Sequence, residues 1–415
     1  MHPQVDAVPQ LSAATRRRDL GLLLSGAAVS TVGSSLALLA VMVHLEPAGP
    51  GWIAAAWGAE LLPVVLLAPV VGRIVDRVRN RELLLGAIGL QGVALLLCGL
   101  LGVQAPGEGG AVIVGSLVLL GVGTALANPV VAALLPRVSG EEHATRAYGW
   151  FSMISQAGFL AGFAVAGVLV DATSERTALL VAAGTTVVMA VAVAFVRTQR
   201  LPGPGRAHEA ESVWLGFARV RADRVLLVGV AGLGVATLIS VLVNVADVFY
   251  VLDVIGASPS AYGLVTALWP AAGVVGGWYA GRLVGDVSLA RWLAGTTVAV
   301  GVALLTAASV VSVVAVGIGW LIGGAANTAQ RVCLNALVRS RTDDAARGRV
   351  FSAVSGVLQA GNVVGLAAGA GVVALVGARA SMAWAGAATV VVGAVMFRLG
   401  RAGADRPPTA TGPAA

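Results

Sequence analysis

The sequence predicts an all-α membrane protein: twelve transmembrane helices arranged as two parallel repeats of six. Three observations predict it. Of 415 residues, 58% are hydrophobic and only 11% are charged, against roughly 25% charged in a soluble domain. The apolar residues fall in runs long enough to cross a bilayer, which takes about 20 residues each. The arginines fall almost entirely on one side of those runs. This composition excludes soluble, disordered and disulfide-rich secreted classes, whose surfaces must be largely polar.

Twelve runs lie near 20–45, 52–72, 83–103, 111–135, 148–170, 177–196, 225–249, 257–280, 288–308, 314–338, 350–376 and 380–397. The first follows Arg16, Arg17 and Arg18. It is too long for a signal-peptide core and reads as an uncleaved first helix. The boundary between spans nine and ten, near Ser309 and Ser312, rests on length alone, because 292–330 carries neither charge nor proline. When the spans alternate from a cytoplasmic N-terminus, every arginine except Arg176, Arg331 and Arg379 falls in an inner segment or tail. One missing or extra crossing would scramble that pattern, so both termini are expected inside the cytoplasmic membrane.

The domain order follows. Residues 1–19 form a cytoplasmic tail, 20–196 a first six-helix bundle, 197–224 a central cytoplasmic linker, 225–398 a second bundle and 399–415 a disordered tail. The linker begins with linker composition, and 212–221 clusters Trp214, Leu215 and Phe217 with Arg219 and Arg221. That pattern suits either a short helix on the inner membrane surface or a plain flexible tether.

Several chemistries are excluded. All 27 basic residues counted as Lys or Arg are arginine. No P-loop lysine or Schiff-base lysine is therefore available. Cys98 and Cys333 sit singly in apolar runs, and four histidines are scattered without metal spacing. No cofactor, metal, nucleic-acid partner or covalent reaction is expected, and the chain reads as a monomer rather than an enzyme.

The halves repeat at an offset of about 200 residues. Gln-Ala-Gly-x-x-x-Gly occurs at Gln156–Gly162 and again at Gln359–Gly365, Arg146 aligns with Arg347, and Asn128 aligns with Asn327. Gly72 aligns with Gly281, and Asp76 matches Asp286 with one extra residue before the acid. A parallel duplication with a site between its halves is a transporter architecture.

After the second span the chain reads Gly72-Arg-Ile-Val-Asp76-Arg77-Val-Arg-Asn-Arg81. With twelve spans and a half-length repeat, this resembles the major facilitator superfamily, whose loop pattern is Gly-x-x-x-Asp-Arg-x-Gly-Arg-[Lys/Arg]. Arg79 and Asn80 depart from it. The resemblance implies that Asp76 sits at the positive N-terminus of span eleven, with Arg77 and Arg81 holding a cytoplasmic gate. It assigns Gly281, Asp286, Arg347 and Arg349 to the repeat-related gate. It also implies that span five packs on eight and span two on eleven. Small residues let helices approach closely in lipid, so Gly158 and Gly162, Gly273 and Gly277, and Gly361 and Gly365 are expected helix-packing positions. The run Gly158-Phe-Leu-Ala-Gly162-Phe163-Ala-Val-Ala166-Gly167 resembles the family's antiporter motif, with Phe163 replacing its proline. Leu117 stands where proton-coupled drug exporters of the family usually carry arginine.

Ionisable residues inside a span are functional candidates. Glu60 lies roughly 12 Å into span two at 1.5 Å per residue and is a candidate proton-carrying or cation-recognising carboxylate, or else a structural one hydrogen-bonded to a neighbouring helix. Arg331, with Asn327 and Gln330, lies in the inner third of span ten and is a candidate for an anionic group. Asn244 and Asp247 lie near the outer end of span seven, where Asp247 reads first as an interfacial residue and second as a cavity group. Gln156, Gln359 and Asn362 read as interhelical hydrogen bonds. Trp52, Trp57, Trp269 and Trp292 read as interfacial or core aromatics. The expectation is a secondary transporter working by alternating access, exporting small amphipathic molecules against a proton gradient. Uptake of an anionic metabolite, and a non-transporting sensor with the same fold, are the alternatives.

Overall fold

The computed structural model describes residues 13–104, 107–198, 213–283 and 289–404. Its helices are α1 Ala13–Leu45, α2 Pro50–Arg77, α3 Asn80–Leu97, α4 Gly110–Ser139, α5 Ala144–Ala172 and α6 Glu175–Phe195. They continue as α7 Val213–Ala222, α8 Arg224–Phe249, α9 Pro259–Leu283, α10 Leu289–Ser309, α11 Val313–Arg341, α12 Asp344–Val376 and α13 Ala378–Ala404. Twelve of these coincide with the twelve apolar runs, and α7 is the short amphipathic helix of the linker. One π-helical turn extends α3 to Gly102 and another extends α8 to Val254. Eleven helices are long and apolar enough to cross a membrane. The twelfth, α9, is diluted by its prolines, glycines and aromatics.

The turns are set by local chemistry. The Ser174 hydroxyl accepts from the Thr177 amide at the start of α6 (3.2 Å), and the Ser312 hydroxyl accepts from the Val314 amide at the start of α11 (3.2 Å). Both satisfy otherwise orphaned amides. The Ser312 cap fixes the α10–α11 boundary that length alone suggested. Asp223 does two things. One oxygen caps α8 through the Val225 and Leu226 amides (2.8 and 3.1 Å), and the other pairs with Arg341 at the end of α11 (3.2 Å). Gly109, at φ 72°, is left-handed and lies against the Gly102 carbonyl, where no Cβ fits.

Packing repeats the duplication. In the first bundle α1 packs on α5 and α6, α4 packs on α2 and α3, and α3 packs on α6. In the second, α8 packs on α12 and α13, α11 on α9 and α10, and α10 on α13. The bundles meet through α5 against α9 and α2 against α12, the pairing the family resemblance implied. α7 lies on the start of α12, where Gly216 meets the Arg349 carbonyl.

The core divides unevenly. At the face opposite the arginines, one apolar cluster runs through both bundles, from Leu36–Leu45 and Ile53 to Val243–Val251, Tyr262, Trp320 and Met382. At the arginine-rich face there are two separate clusters. One belongs to the first bundle around Leu84, Val130 and Leu134, and the other to the second around Leu226, Leu293 and Val338. The bundles are thus joined at one face and parted at the other.

Candidate functional site

A cavity of about 640 Å³ lies beneath the joined core, against the arginine-side core of the second bundle. Its wall comes mainly from the second bundle, through α8, α9, α11 and α12, with Leu38, Leu39, Met42, Trp57 and Phe163 closing it from the first. Five of the six residues expected to line a central site do so: Asn244, Asp247, Asn327, Gln330 and Arg331. Among the described lining residues, Asp247 is the one acid and Arg331 the one base.

Their settings differ. Gln330 is 4% exposed, and its amide donates to the Thr297 hydroxyl (2.7 Å), so it ties α11 to α10 as much as it faces the cavity. Arg331, one residue on, is exposed to the cavity, and no hydrogen bond or ion pair reaches its guanidinium among the described residues. Asp247 faces Tyr262 of α9, which in turn neighbours Thr266. One Asp247 oxygen, Oδ1, is shielded from solvent yet has no hydrogen-bond partner, and the same holds for Thr266 Oγ1 and Trp57 Nε1. Three polar atoms around one end of the cavity are therefore left unsatisfied, which is uncommon in a finished protein interior.

The two charges stand far apart. Asp223 bridges the start of α8 to the end of α11, so both helix ends lie at one level. Asp247 is 23 residues up α8 from Arg224, and Arg331 is 10 residues back from Arg341. At about 1.5 Å per residue they differ by roughly 20 Å in depth, with Asp247 at the joined end and Arg331 toward the arginine-rich face.

Several expectations need correction. Glu60 does not line the cavity. It lies where α2 crosses α4, and Gly121 of α4 approaches the Glu60 carbonyl too closely for a Cβ. Depth along a helix follows from sequence, but the side the residue faces does not. Trp57 and Trp269 are not merely interfacial, because both line the cavity, and Trp269 stands edge-on to Trp320 (centroids 5.5 Å apart, 87°). Gln359 and Asn362 do share a hydrogen bond (2.9 Å), but within α12, and both face the cavity. Tyr262 and Thr266 escaped notice entirely. Their spacing to Trp269, four then three residues, places all three on one face of α9, and that is the signal that could have found them.

The glycines of spans five and eleven lie at close helix contacts, as expected, and the neighbours they meet belong to their own bundles. A Cβ on Gly158 or Gly162 would meet Thr31 or Ser35 of α1 (2.9 and 2.6 Å), and one on Gly361 would meet the Gly234 carbonyl of α8 (2.8 Å). Gly365 lies against the Leu238 carbonyl of α8. These contacts hold each bundle together and do not slide between bundles. The close approach across the bundles is at Gly167, against Gly263 (3.0 Å). Gly273 and Gly277 of α9 face Thr328 of α11 (2.8 and 3.0 Å), and Gln156 of α5 also borders Gly273 (3.4 Å).

At the gate, Gly72 and Asp76 lie in the last two turns of α2, but the Asp76 side chain is outside the described residues, as is Asp286 altogether. Arg77 is exposed. Arg81 donates to the Ala194 carbonyl in the last turn of α6, binding the negative end of a helix in its own bundle. Arg347 donates to the Arg339 and Thr342 carbonyls (3.5 Å each). Arg349 offers its carbonyl to α7, and Gly281 borders open space. Among the described residues, no group of histidine, cysteine and acid is placed to hold a metal.

Comparison with known proteins gives a consistent picture. A sequence model described as Major Facilitator Superfamily matches residues 19–252, more than half of the chain. No curated protein sequence is a significant match. Among solved structures, the chain is similar to the nucleoside transporter NupG at TM-score 0.76 and 10% identity, covering 93% of this chain and 99% of that one. It is similar to a bacterial homologue of the human lysosomal transporter Spinster, inward-facing and unoccupied, at TM-score 0.73 and 14% identity, over 96% and 100% of the two chains. It is also similar to a bacterial homologue of the iron transporter ferroportin, inward-facing, at 0.70 and 16%, over 94% and 99%.

Proposed function

The chain belongs to the major facilitator superfamily, and from that premise we propose that it is a secondary active transporter that exports small amphipathic molecules from the cytoplasm by alternating access. The observation that carries the reading is a cavity walled mainly by the second bundle and closed by five residues of the first, beneath a core that joins the two bundles at one face. If the arginine-rich face is cytoplasmic, as charge asymmetry argues, the cavity opens to the cytoplasm and collects its substrate there.

The lining suits an amphipathic cargo. Tryptophan and phenylalanine offer apolar area, while neutral amides offer hydrogen bonds that do not demand a fixed charge. The energy source in this reading is a proton gradient, and the carboxylate available in the cavity is Asp247. Its neighbour is Tyr262, and the cavity's one base, Arg331, is roughly 20 Å away by helix rise, too distant to hold the carboxylate in a permanent ion pair. The gate assigned to Gly72, Asp76, Arg77 and Arg81 closes the cytoplasmic face in the opposite state, with Arg347 and Arg349 at the N-terminus of α12 and Gly281 and Asp286 in the related position. The protein works as a monomer in the cytoplasmic membrane, with both termini inside.

A second reading, uptake of a small anionic metabolite, is favoured by the unpaired guanidinium of Arg331 facing the cavity. Flux decides between the two. In proteoliposomes with an imposed pH gradient, export predicts proton-driven movement of amphipathic compounds away from the arginine-rich face, and Asp76→Asn is expected to lower it at least tenfold while membrane insertion stays normal. Gradient-driven accumulation of an anion, abolished by Arg331→Gln, would establish uptake. No flux of any compound across the panel would leave a non-transporting sensor.

A further inference from the structure

We infer that the joined end of the cavity is a binding site for the headgroup of an amphipathic organic cation, enclosed by Trp57, Trp269 and Tyr262 and balanced by Asp247. This rests on the transport reading for its purpose but not for its chemistry.

The argument starts from an unsatisfied acid. Asp247 Oδ1 is shielded from solvent without a hydrogen-bond partner. An uncompensated carboxylate in a low-dielectric site is costly and calls for a positive partner or a proton. No side chain supplies the positive charge. Among the described residues no ion pair includes Asp247, and the one base of the cavity lies roughly 20 Å nearer the other end by helix rise. What balances it is therefore either a proton or a cation that comes from outside the chain.

The surroundings define that partner. Trp57 from α2, Tyr262 and Trp269 from α9 and Trp320 from α11 line the same cavity, and Trp320 braces Trp269 edge-on. Aromatic faces attract cations, most strongly when water is excluded, and cages of this kind recognise quaternary and other organic ammonium groups. Trp320 and Tyr262 are each 5% exposed, so the rings are held in place before a ligand arrives. A metal cation is a poor match, because one carboxylate and four rings supply too few oxygen ligands for a hard ion. The remaining length of the cavity sets Phe351, Leu358 and Leu334 beside the polar Ser355, Gln359 and Asn362, a mixed lining that accommodates the rest of an amphipathic molecule.

The test uses two ions of matching size and shape and opposite charge, tetraphenylphosphonium and tetraphenylborate, in equilibrium binding to the purified full-length protein in lipid nanodiscs. The wild type is expected to bind the phosphonium at least tenfold more tightly than the borate. Asp247→Asn should erase that preference, Trp269→Ala should weaken phosphonium binding at least tenfold, and Trp269→Phe should restore most of it. Glu60→Gln, outside the cavity, should change neither. Should Asp247→Asn fail to fold, as judged by size exclusion, the Trp269 pair still decides. Preferred borate binding that depends on Arg331, or phosphonium binding unchanged in Asp247→Asn and Trp269→Ala, would overturn the site. Charge-selective binding without flux in proteoliposomes would uphold the site and remove the transport reading. Flux with charge-blind binding would do the reverse.

Discussion

At the scale of single residues, the chain uses its few charges in two distinct ways. In one, a single carboxylate oxygen is taken up by a chain end while the other, Oδ1, stays buried without a partner. Asp19, with no solvent exposure, accepts through Oδ2 from the Arg197 amide (3.0 Å), the Thr198 amide (2.8 Å) and the Thr198 hydroxyl (2.7 Å). It thereby fastens the start of α1 to the end of α6. Asp19→Ala leaves three donors without their acceptor. It should destabilise the protein by about 2–4 kcal/mol, since buried groups lose their charge-assisted partner, measured as a fall in thermal-unfolding midpoint in detergent with transport per folded molecule unchanged. Other charges, Asp247 and Arg331, are left without such partners in the cavity, and those are the groups available to a ligand. Sequence reading found both, because an ionisable residue in an apolar run is conspicuous. It could not separate them from Glu60, because hydropathy reports depth and says nothing of azimuth. Trp57 and Trp269 pack against the core as expected, but that they also line the cavity was not legible, since tryptophan at that depth is equally at home against lipid, core or cavity.

At the scale of helices, the legible part was extensive. Twelve apolar runs became twelve helices with ends shifted by a few residues, because lipid requires every backbone group to bond within its own segment. Even the division near Ser309 and Ser312 held, supported by a serine cap that length alone could not reveal. What the glycine spacing concealed was the partner. A small-residue stripe states that a helix comes close to another, and the repeat shows that both copies do so, but neither says which neighbour. Gly162 packs on Ser35 of its own bundle, so Gly162→Val would drive a branched side chain into α1. The expected result is overpacking of about 1–3 kcal/mol and loss of monodisperse protein in size exclusion, whereas Gly281→Ala, which borders open space, should leave the elution profile unchanged. The gate motif was legible as a pattern only. Arg81 holds the end of α6, a partner that the pattern does not name.

At the scale of the whole molecule, the duplication governs. The main contacts between helices of the first bundle have counterparts in the second, and the two largest contacts between bundles are related in the same way. The asymmetry arises along the other axis, between the joined face and the parted face. The Ser260 hydroxyl donates to Asp171 Oδ2 across the joined face (2.6 Å), where α5 meets α9. Replacing Asp171→Cys and Ser260→Cys together should therefore allow an oxidative cross-link that locks that face, and Cys98 and Cys333 are buried and will not compete. Transport should fall at least tenfold on oxidation and return on reduction. Cross-linking without loss of flux would mean that the bundles need not part there.

The joined face is sealed mainly by hydrocarbon, with the Ser260–Asp171 hydrogen bond beside it. Such a seal draws its strength from water's reluctance to wet it, and that reluctance is entropic near room temperature and fades on cooling. Chilling should accordingly loosen this clasp before it disturbs the polar anchors at Asp19 and Asp223, tilting the resting population toward the opposite opening. The molecule would then carry a thermometer in its own waist.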